Sequence, residues 1–217
     1  MCLSAIRMRR GPLQWLLVLG LLAVSAGTAQ AETPQIVRVE EDWELVVNTP
    51  EPQSFAPQVS CVMSPRGDID GLHAALELNV QSLLTFLAGG VQLQLWHGET
   101  PLNDRKFPSD SVMSQPGETV TWTQTMQVAN GVITFEVING SSQTWGNFGG
   151  QGYLKVFLNT DLSNLNGYDP AVSVANSGIN YAANRVDSLI LKKIRVYDSN
   201  GNVVEHSTPI VVHPPQQ

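Results

Sequence analysis

The segment Glu40–Glu44 near the start of the chain (sequence EEDWE) has four carboxylates, at a spacing that acid–base chemistry uses. Alternate side chains of a β-strand share a face, so Glu40, Asp42 and Glu44 would project together. Two such carboxylates, one a nucleophile and one a general acid, can cleave a glycosidic bond. Apolar residues such as Trp43 occupy the other parity, which favours a solvated face of a strand over a catalytic pair.

A second group of residues could bind a ligand without reacting with it. Trp145, Asn147, Tyr168 and Asp169 lie in or beside loops rich in glycine and asparagine. Aromatic rings stack on the CH faces of sugars, and Asn and Asp exchange hydrogen bonds with sugar hydroxyls. We predict these four as ligand-binding residues. The alternative is that the rings fill the core, and for Trp145 burial is favoured because Trp is mostly buried on average.

Oxygen-rich loops suggest at most a calcium ion. Asp161, Asn164, Asn166 and Asp169 form the better of two such loops, and the other, Asp198–Asn202, reads as a hairpin turn. The four histidines are too far apart to form a structural zinc site. No Ser-His-acid set or phosphate-binding glycine loop stands out. We therefore predict no cofactor and no catalytic residue, with Ca²⁺ as the open alternative for the first loop.

The first 31 residues have the layout of a secretory signal. Arg7, Arg9 and Arg10 precede the apolar run Leu13–Val24, and small residues then end in Ala29-Gln30-Ala31. The apolar run is shorter than the roughly 20 residues a membrane span requires. We predict cleavage before Glu32, a secreted or periplasmic protein, and no stable membrane span after cleavage.

Charge and cysteine content narrow the class further. Loss of the three signal arginines would take the net charge from −7 to −10. An acidic surface repels phosphate backbones, which argues against a nucleic-acid partner. Only Cys61 would remain after cleavage, so no internal disulfide is possible, and Cys61 is predicted to be a buried small apolar residue.

The strongest structural signal is a hairpin around Asn130-Gly131, a pair typical of a tight type I′ turn. The two-residue loop sets the register, with Val128 opposite Ile133 and Met126 opposite Phe135. It also places Gln124 opposite Val137 and Trp122 opposite Asn139. A second Asn-Gly pair, at 139–140, is predicted to close the following strand.

Similar strand signals recur along the chain at roughly 10-residue spacing. They begin at Ile36–Val47 and end with a hairpin whose arms are Asp187–Tyr197 and Asn202–Val212. Segments 101–117 and 161–178 read as loops. The pattern predicts an all-β fold, an antiparallel β-sandwich or jelly roll of about nine or ten strands. One domain would cover residues 32–212, followed by a disordered tail at 213–217.

Two segments carry a resemblance to known architectures. The closing SLILKKIRVYDSNGNVV (188–204) resembles the last hairpin of extracellular sandwiches such as concanavalin A-like lectin and glucanase domains. The segment TWGNFGGQGYLKV (144–156) resembles a phrase found in uncharacterised secreted bacterial proteins. The EEDWE segment, in turn, is similar to the Glu-x-Asp-x-Glu pattern of laminarinase-type glycoside hydrolases. This resemblance implies that Glu40 and Glu44 would be the catalytic pair in this chain.

Three functions remain open from the sequence. The first is a secreted, non-catalytic module that binds glycans or extracellular matrix. The second is a structural protein of the cell envelope, and the third is a glycoside hydrolase that uses Glu40 and Glu44. The sequence favours the first.

Overall fold

The computed structural model describes residues 33–48, 57–79, 89–107, 109, 111–113, 115 and 117–214 of the 217-residue chain. The predicted signal, 1–31, and residues 215–217 of the predicted tail lie outside the described residues. The described residues form thirteen strands and one α-helix. In chain order these are β1 (Ile36–Val47), β2 (Gln58–Met63), β3 (Leu72–Leu78), β4 (Val91–His97), β5 (Thr100–Lys106), β6 (Thr119–Ala129), β7 (Val132–Ser142), β8 (Gly146–Phe148), β9 (Lys155–Asn159), α1 (Pro170–Asn176), β10 (Gly178–Tyr181), β11 (Val186–Asp198), β12 (Val203–His206) and β13 (Ile210–His213).

The strands form two antiparallel sheets that pack together, which confirms the predicted all-β sandwich. Sheet A has eight strands in the order β12-β11-β1-β6-β7-β8, with β13 also paired to β11 and β9 also paired to β7. Sheet B has five strands in the order β10-β2-β3-β4-β5. Sheet A is therefore the wider layer, and β1 and β6 lie at its centre.

Strand β1 and the hairpin of β6 and β7 follow the sequence closely. β1 has the predicted bounds, and Asn130 and Gly131 both have the positive φ angles, 51° and 73°, that a type I′ turn requires. Three of the four predicted cross-strand pairs, those of Val128, Met126 and Gln124, are confirmed. The fourth is wrong, because a β-bulge at Thr123/Gln124 shifts the register.

The bulge places Trp122 opposite Gly140 instead of Asn139, and Gly140 does not close the strand. β7 runs through this glycine to Ser142. A Cβ on Gly140 would lie 2.2 Å from the Phe148 ring, so the position accepts no side chain. The second Asn-Gly pair therefore marks a close approach of a ring to the backbone, and the prediction of a turn there is wrong.

The core lies between the sheets and is built from the apolar parity of each strand. Trp43 of β1 and Trp122 of β6 stack with ring centroids 6.2 Å apart, and Phe135 of β7 is also buried. Cys61 of β2 is buried and has a free thiol, as predicted from its place in an apolar strand. Burial of these large side chains supplies the main favourable term in folding.

Two internal segments differ from the sequence-based expectation. β5 (Thr100–Lys106) overlaps the predicted polar loop 101–117, and it is a strand because pairing with β4 supplies its hydrogen bonds. Helix α1 lies within the predicted loop 161–178. It is the one α-helix among the described residues, and it is too short to cross a bilayer.

The chain end also differs. The arm predicted at 202–212 is divided into β12 and β13, which pair with different parts of β11. His213, predicted as the start of a disordered tail, is the last residue of β13 and pairs with Leu189.

Candidate functional site

Trp145 lies at the turn between β7 and β8, and Asn147 lies within β8. Trp145 is 6 % exposed, its ring packs edge-on against Phe148, and its Nε1 donates to the carbonyl oxygen of Ser111 at 2.5 Å. Asn147 is exposed on β8. The placement of Trp145 agrees with the core alternative, because little of its ring faces solvent.

Tyr168 and Asp169 lie in a different place, immediately before helix α1. The Asp169 carboxylate caps the helix by accepting from the backbone N–H of Ala171 at 2.8 Å. The Tyr168 hydroxyl donates to Oε1 of Glu41 at 2.7 Å. The four predicted ligand residues thus lie in two separate places, Trp145 and Asn147 beside β7 and Tyr168 and Asp169 before α1.

The oxygen-rich loops are occupied by backbone hydrogen bonds. Asn166 Oδ1 accepts from the N–H of Ile36, and Asn164 Oδ1 accepts from the N–H of Asn166. Asp198 Oδ1 accepts from the N–H groups of Asn200 and Asn202, as expected for a hairpin turn. Among the described residues no cluster of three or more His, Cys, Asp or Glu side chains is arranged to hold a metal ion.

Glu41 is the site residue that the sequence analysis missed. It shares the parity of Val39 and Trp43, so β1 directs it into the core, where it is fully buried. Its Oε2 accepts from Trp43 Nε1 at 2.9 Å and from Gln124 Nε2 at 2.7 Å. The sequence does contain a signal for Glu41, because this acid occupies a position of β1 whose neighbours on the same face are apolar.

The surroundings of Glu41 determine its protonation. Burial raises the pKa of Glu41 above its ordinary value, and hydrogen bonds from Tyr168, Gln124 and Trp43 lower it in part. Cys61 is also affected by its surroundings, because burial and then the charges of Glu41 and Glu77 raise the pKa of its thiol. A raised pKa keeps this thiol protonated, so Cys61 is not suited to act as a nucleophile.

The outer face of sheet A, which points away from sheet B, brings polar residues from five strands into rows. The first row, the Tyr197 row, is fixed by successive strand pairs. It consists of Tyr197 (β11), Arg38 (β1), Gln127 (β6), Thr134 (β7) and Phe157 (β9). With neighbouring strands ~4.8 Å apart, four spacings make this row about 19 Å long.

The two ends of the Tyr197 row are aromatic. Phe157 is 56 % exposed on β9, so its ring is available to a ligand. The Arg38 guanidinium lies over the Tyr197 ring, 5.1 Å from its centroid. The Tyr197 hydroxyl donates to Glu40 Oε2 at 3.0 Å, which fixes the ring in place.

A second row, the Arg195 row, runs beside the first. It consists of Arg195, Glu40, Thr125, Glu136 and Lys155, again one residue from each of five strands. Arg195 donates from Nε to Glu40 at 2.6 Å and from both terminal nitrogens to Asp42 at 2.6 and 2.7 Å. Lys155 pairs with Glu136 at 3.3 Å.

A groove of about 310 Å³ lies over β1, β6, β7 and β9 on this face. Its walls include Arg38, Gln127 and Thr134 of the first row, with Glu136 and Lys155 of the second. Ligand sites in proteins start at about this size. The described part of the chain thus offers a polar groove, and the exposed Phe157 is the cross-strand neighbour of Thr134 in its wall.

The acids predicted to share a face do so. Glu40, Asp42 and Glu44 all point outward from β1, and each is held by a cation. Partial burial raises the pKa of Asp42, but hydrogen bonds from Arg195 and Thr123 outweigh it, so this pKa lies below its ordinary value. A carboxylate held in this way accepts hydrogen bonds and is a poor proton donor.

Comparison of the chain with known protein families and with curated proteins finds no match. The fold and the outer face therefore carry the functional argument by themselves.

Proposed function

We propose that this protein is a secreted, non-catalytic β-sandwich that binds glycans through the outer face of sheet A. The observation that carries the proposal is the Tyr197 row, in which guanidinium, amide and hydroxyl groups that line a groove lie between two aromatic residues. Sugars combine apolar CH faces with many hydroxyls, so they need rings and polar groups together.

A non-catalytic role is supported by the state of the acids. Arg195 bonds to both Glu40 and Asp42, and Lys192 bonds to Glu44 at 3.0 Å. A glycosidase needs one carboxyl group that keeps its proton until it reaches the leaving oxygen. Three acids that are each paired with a cation are better suited to positioning side chains than to general acid catalysis.

Phe157 provides the test, because it is exposed and its loss should leave the core intact. Phe157→Ala should weaken glycan binding about tenfold, as expected when a contact of ~1.4 kcal/mol is removed. Binding of the exported protein to a glycan array, followed by titration against the best ligand, measures this effect.

Leu158→Ala is the matched control, since Leu158 is the next residue of β9, is also exposed (39 %) and points to the opposite face. Equal losses in the two variants would contradict a site on the outer face. Release of reducing sugar from a β-glucan by the wild type, abolished in Glu40→Gln, would replace the proposal with the glycosidase alternative.

A further inference from the structure

We infer that the ligand of the outer face is a neutral glycan that lies across the strands, along the Tyr197 row from Tyr197 to Phe157. This inference rests on the glycan binding proposed above and adds the charge and the direction of the ligand. The charge balance of the face and its cross-strand register carry the two parts independently.

The ion pairs of the outer face combine equal numbers of cations and anions. The cations are Arg38, Lys155, Lys192, Lys193 and Arg195, and the anions are Glu40, Asp42, Glu44, Glu136 and Glu205. These ion-paired groups therefore add no net charge to the face, although the whole chain is acidic, with a net charge of −7.

An anionic glycan would gain little on such a surface. Recognition of carboxylate or sulfate groups uses Arg or Lys side chains that are available to bond to them. Here Arg195 is committed to Glu40 and Asp42, and Lys155 is committed to Glu136. The net negative charge of the protein would further slow the approach of an anion. A neutral glycan needs no free cation and is not repelled by the negative charge of the protein.

The direction follows from the register of sheet A. Arg38 pairs with Tyr197 on one side and with Gln127 on the other, and Thr134 continues the line to Phe157. Gln127 is exposed and Thr134 is half-buried, so an amide and a hydroxyl face the middle of the row. Along the strands, the neighbours of these residues are the Arg195 row on one side and the uncharged Ala129 and Val132 on the other. A ligand that reaches both the polar groups in the middle of the Tyr197 row and the Phe157 ring must therefore lie across the strands.

The experiment uses the exported protein and three probes of different charge. These are a neutral β-glucan, polygalacturonate as a carboxylated glycan, and heparin as a sulfated one. We expect binding to the neutral probe, with a Kd that changes less than about twofold between low and physiological salt, since no charges are screened. Among neutral oligosaccharides, the effect of Phe157→Ala should grow with chain length, because only longer chains reach this end of the row.

Variants that remove one anion from an ion pair test whether pairing of the charges excludes anionic glycans. Glu136→Gln leaves Lys155 without its carboxylate and should strengthen polygalacturonate binding several-fold, in a salt-sensitive manner. Glu205→Gln makes the same change of net charge, but it frees Lys193 at the far edge of the sheet, away from the groove. It should alter polygalacturonate binding much less.

The possible outcomes separate the two claims. Salt-sensitive binding to anionic probes alone would overturn the neutral ligand and leave glycan binding standing. A loss in Phe157→Ala that is the same for short and long oligosaccharides would overturn the direction. An absence of binding to every probe and to the array would overturn both the inference and the proposed function.

Discussion

A fully buried carboxylate must either keep its proton or be stabilised by donors of the protein itself, because no water remains to solvate the charge. Glu41 lies in this position, with hydrogen bonds from Trp43, Gln124 and Tyr168 and with Ser173 nearby. Burial dominates, so the pKa of Glu41 in the folded protein is above its ordinary value of 4.5. The folded state therefore holds this proton more tightly than the unfolded state.

The sign of the resulting pH dependence follows. A carboxyl group whose pKa is raised in the folded state stabilises the folded protein. This contribution is complete below the pKa of the group in the unfolded chain, and it is lost as the pH rises through the pKa of the folded state. Glu41→Gln should remove that loss, so its unfolding free energy should fall less steeply than that of the wild type from acidic to neutral pH. Urea melts at a series of pH values measure the two slopes.

Glu205→Gln is the control for this prediction. Glu205 is exposed, and its pKa is lowered by hydrogen bonds from Lys193 and Ser207, so its contribution has the opposite sign and is lost as the pH falls. Removing it should not flatten the slope that Glu41 produces. Glu77, whose pKa is also raised by burial, remains in both variants. Parallel slopes for the wild type and Glu41→Gln would contradict the assignment.

Trp145 gives a second prediction at this scale. Its buried ring contacts Phe148, so Trp145→Ala should cost ~3–5 kcal/mol of stability, the usual range for deleting a large core aromatic. Thermal and urea melts measure it. A variant with unchanged stability that has lost glycan binding would instead return Trp145 to the role of a ligand platform.

At the scale of elements, the β6–β7 hairpin depends on backbone conformation more than on packing. Gly131 has a φ of +73°, and a Cβ there would meet nothing closer than 3.9 Å. Gly131→Ala should therefore cost about 1–2 kcal/mol from the left-handed conformation alone. Urea melts measure the loss.

Gly178 is the matched comparison, because a Cβ there also has open space and its φ is not positive. Gly178→Ala should stay within about 0.5 kcal/mol, like an ordinary surface change. Similar losses at the two glycines would mean that the turn is not of the type assigned.

Elements whose signal is local were predicted well, and those that depend on distant pairing were not. The alternation of β1 and the Asn-Gly turn are contained within a few residues. β5 has no apolar alternation, and it is a strand only because β4 lies beside it. Helix α1 is short, and its signal was the Asp169-Pro170 start, where the carboxylate caps and the proline occupies the first turn. Asp169 was instead assigned to a ligand.

At the scale of the whole molecule, the two sheets differ in width and in what their outer faces carry. Sheet A has eight strands against five in sheet B, and ion pairs such as Arg195–Asp42 and Lys155–Glu136 lie on its outer face. Thr125 is on the outer parity and yet is buried, and its Oγ1 donates to the carbonyl oxygen of Val39 at 3.1 Å.

The sequence by itself determined the all-β class, the antiparallel hairpin and the outward parity of Glu40, Asp42 and Glu44, because strand alternation and turn chemistry act over neighbouring residues. Only the tertiary structure decided which residues of different strands meet. Glu40 and Tyr197 are 157 positions apart and hydrogen-bonded, and the bulges at Thr123 and in β11 set which rows align. Such bulges depend on packing across the whole sheet, so the groove of sheet A could not be read from any one segment of the chain.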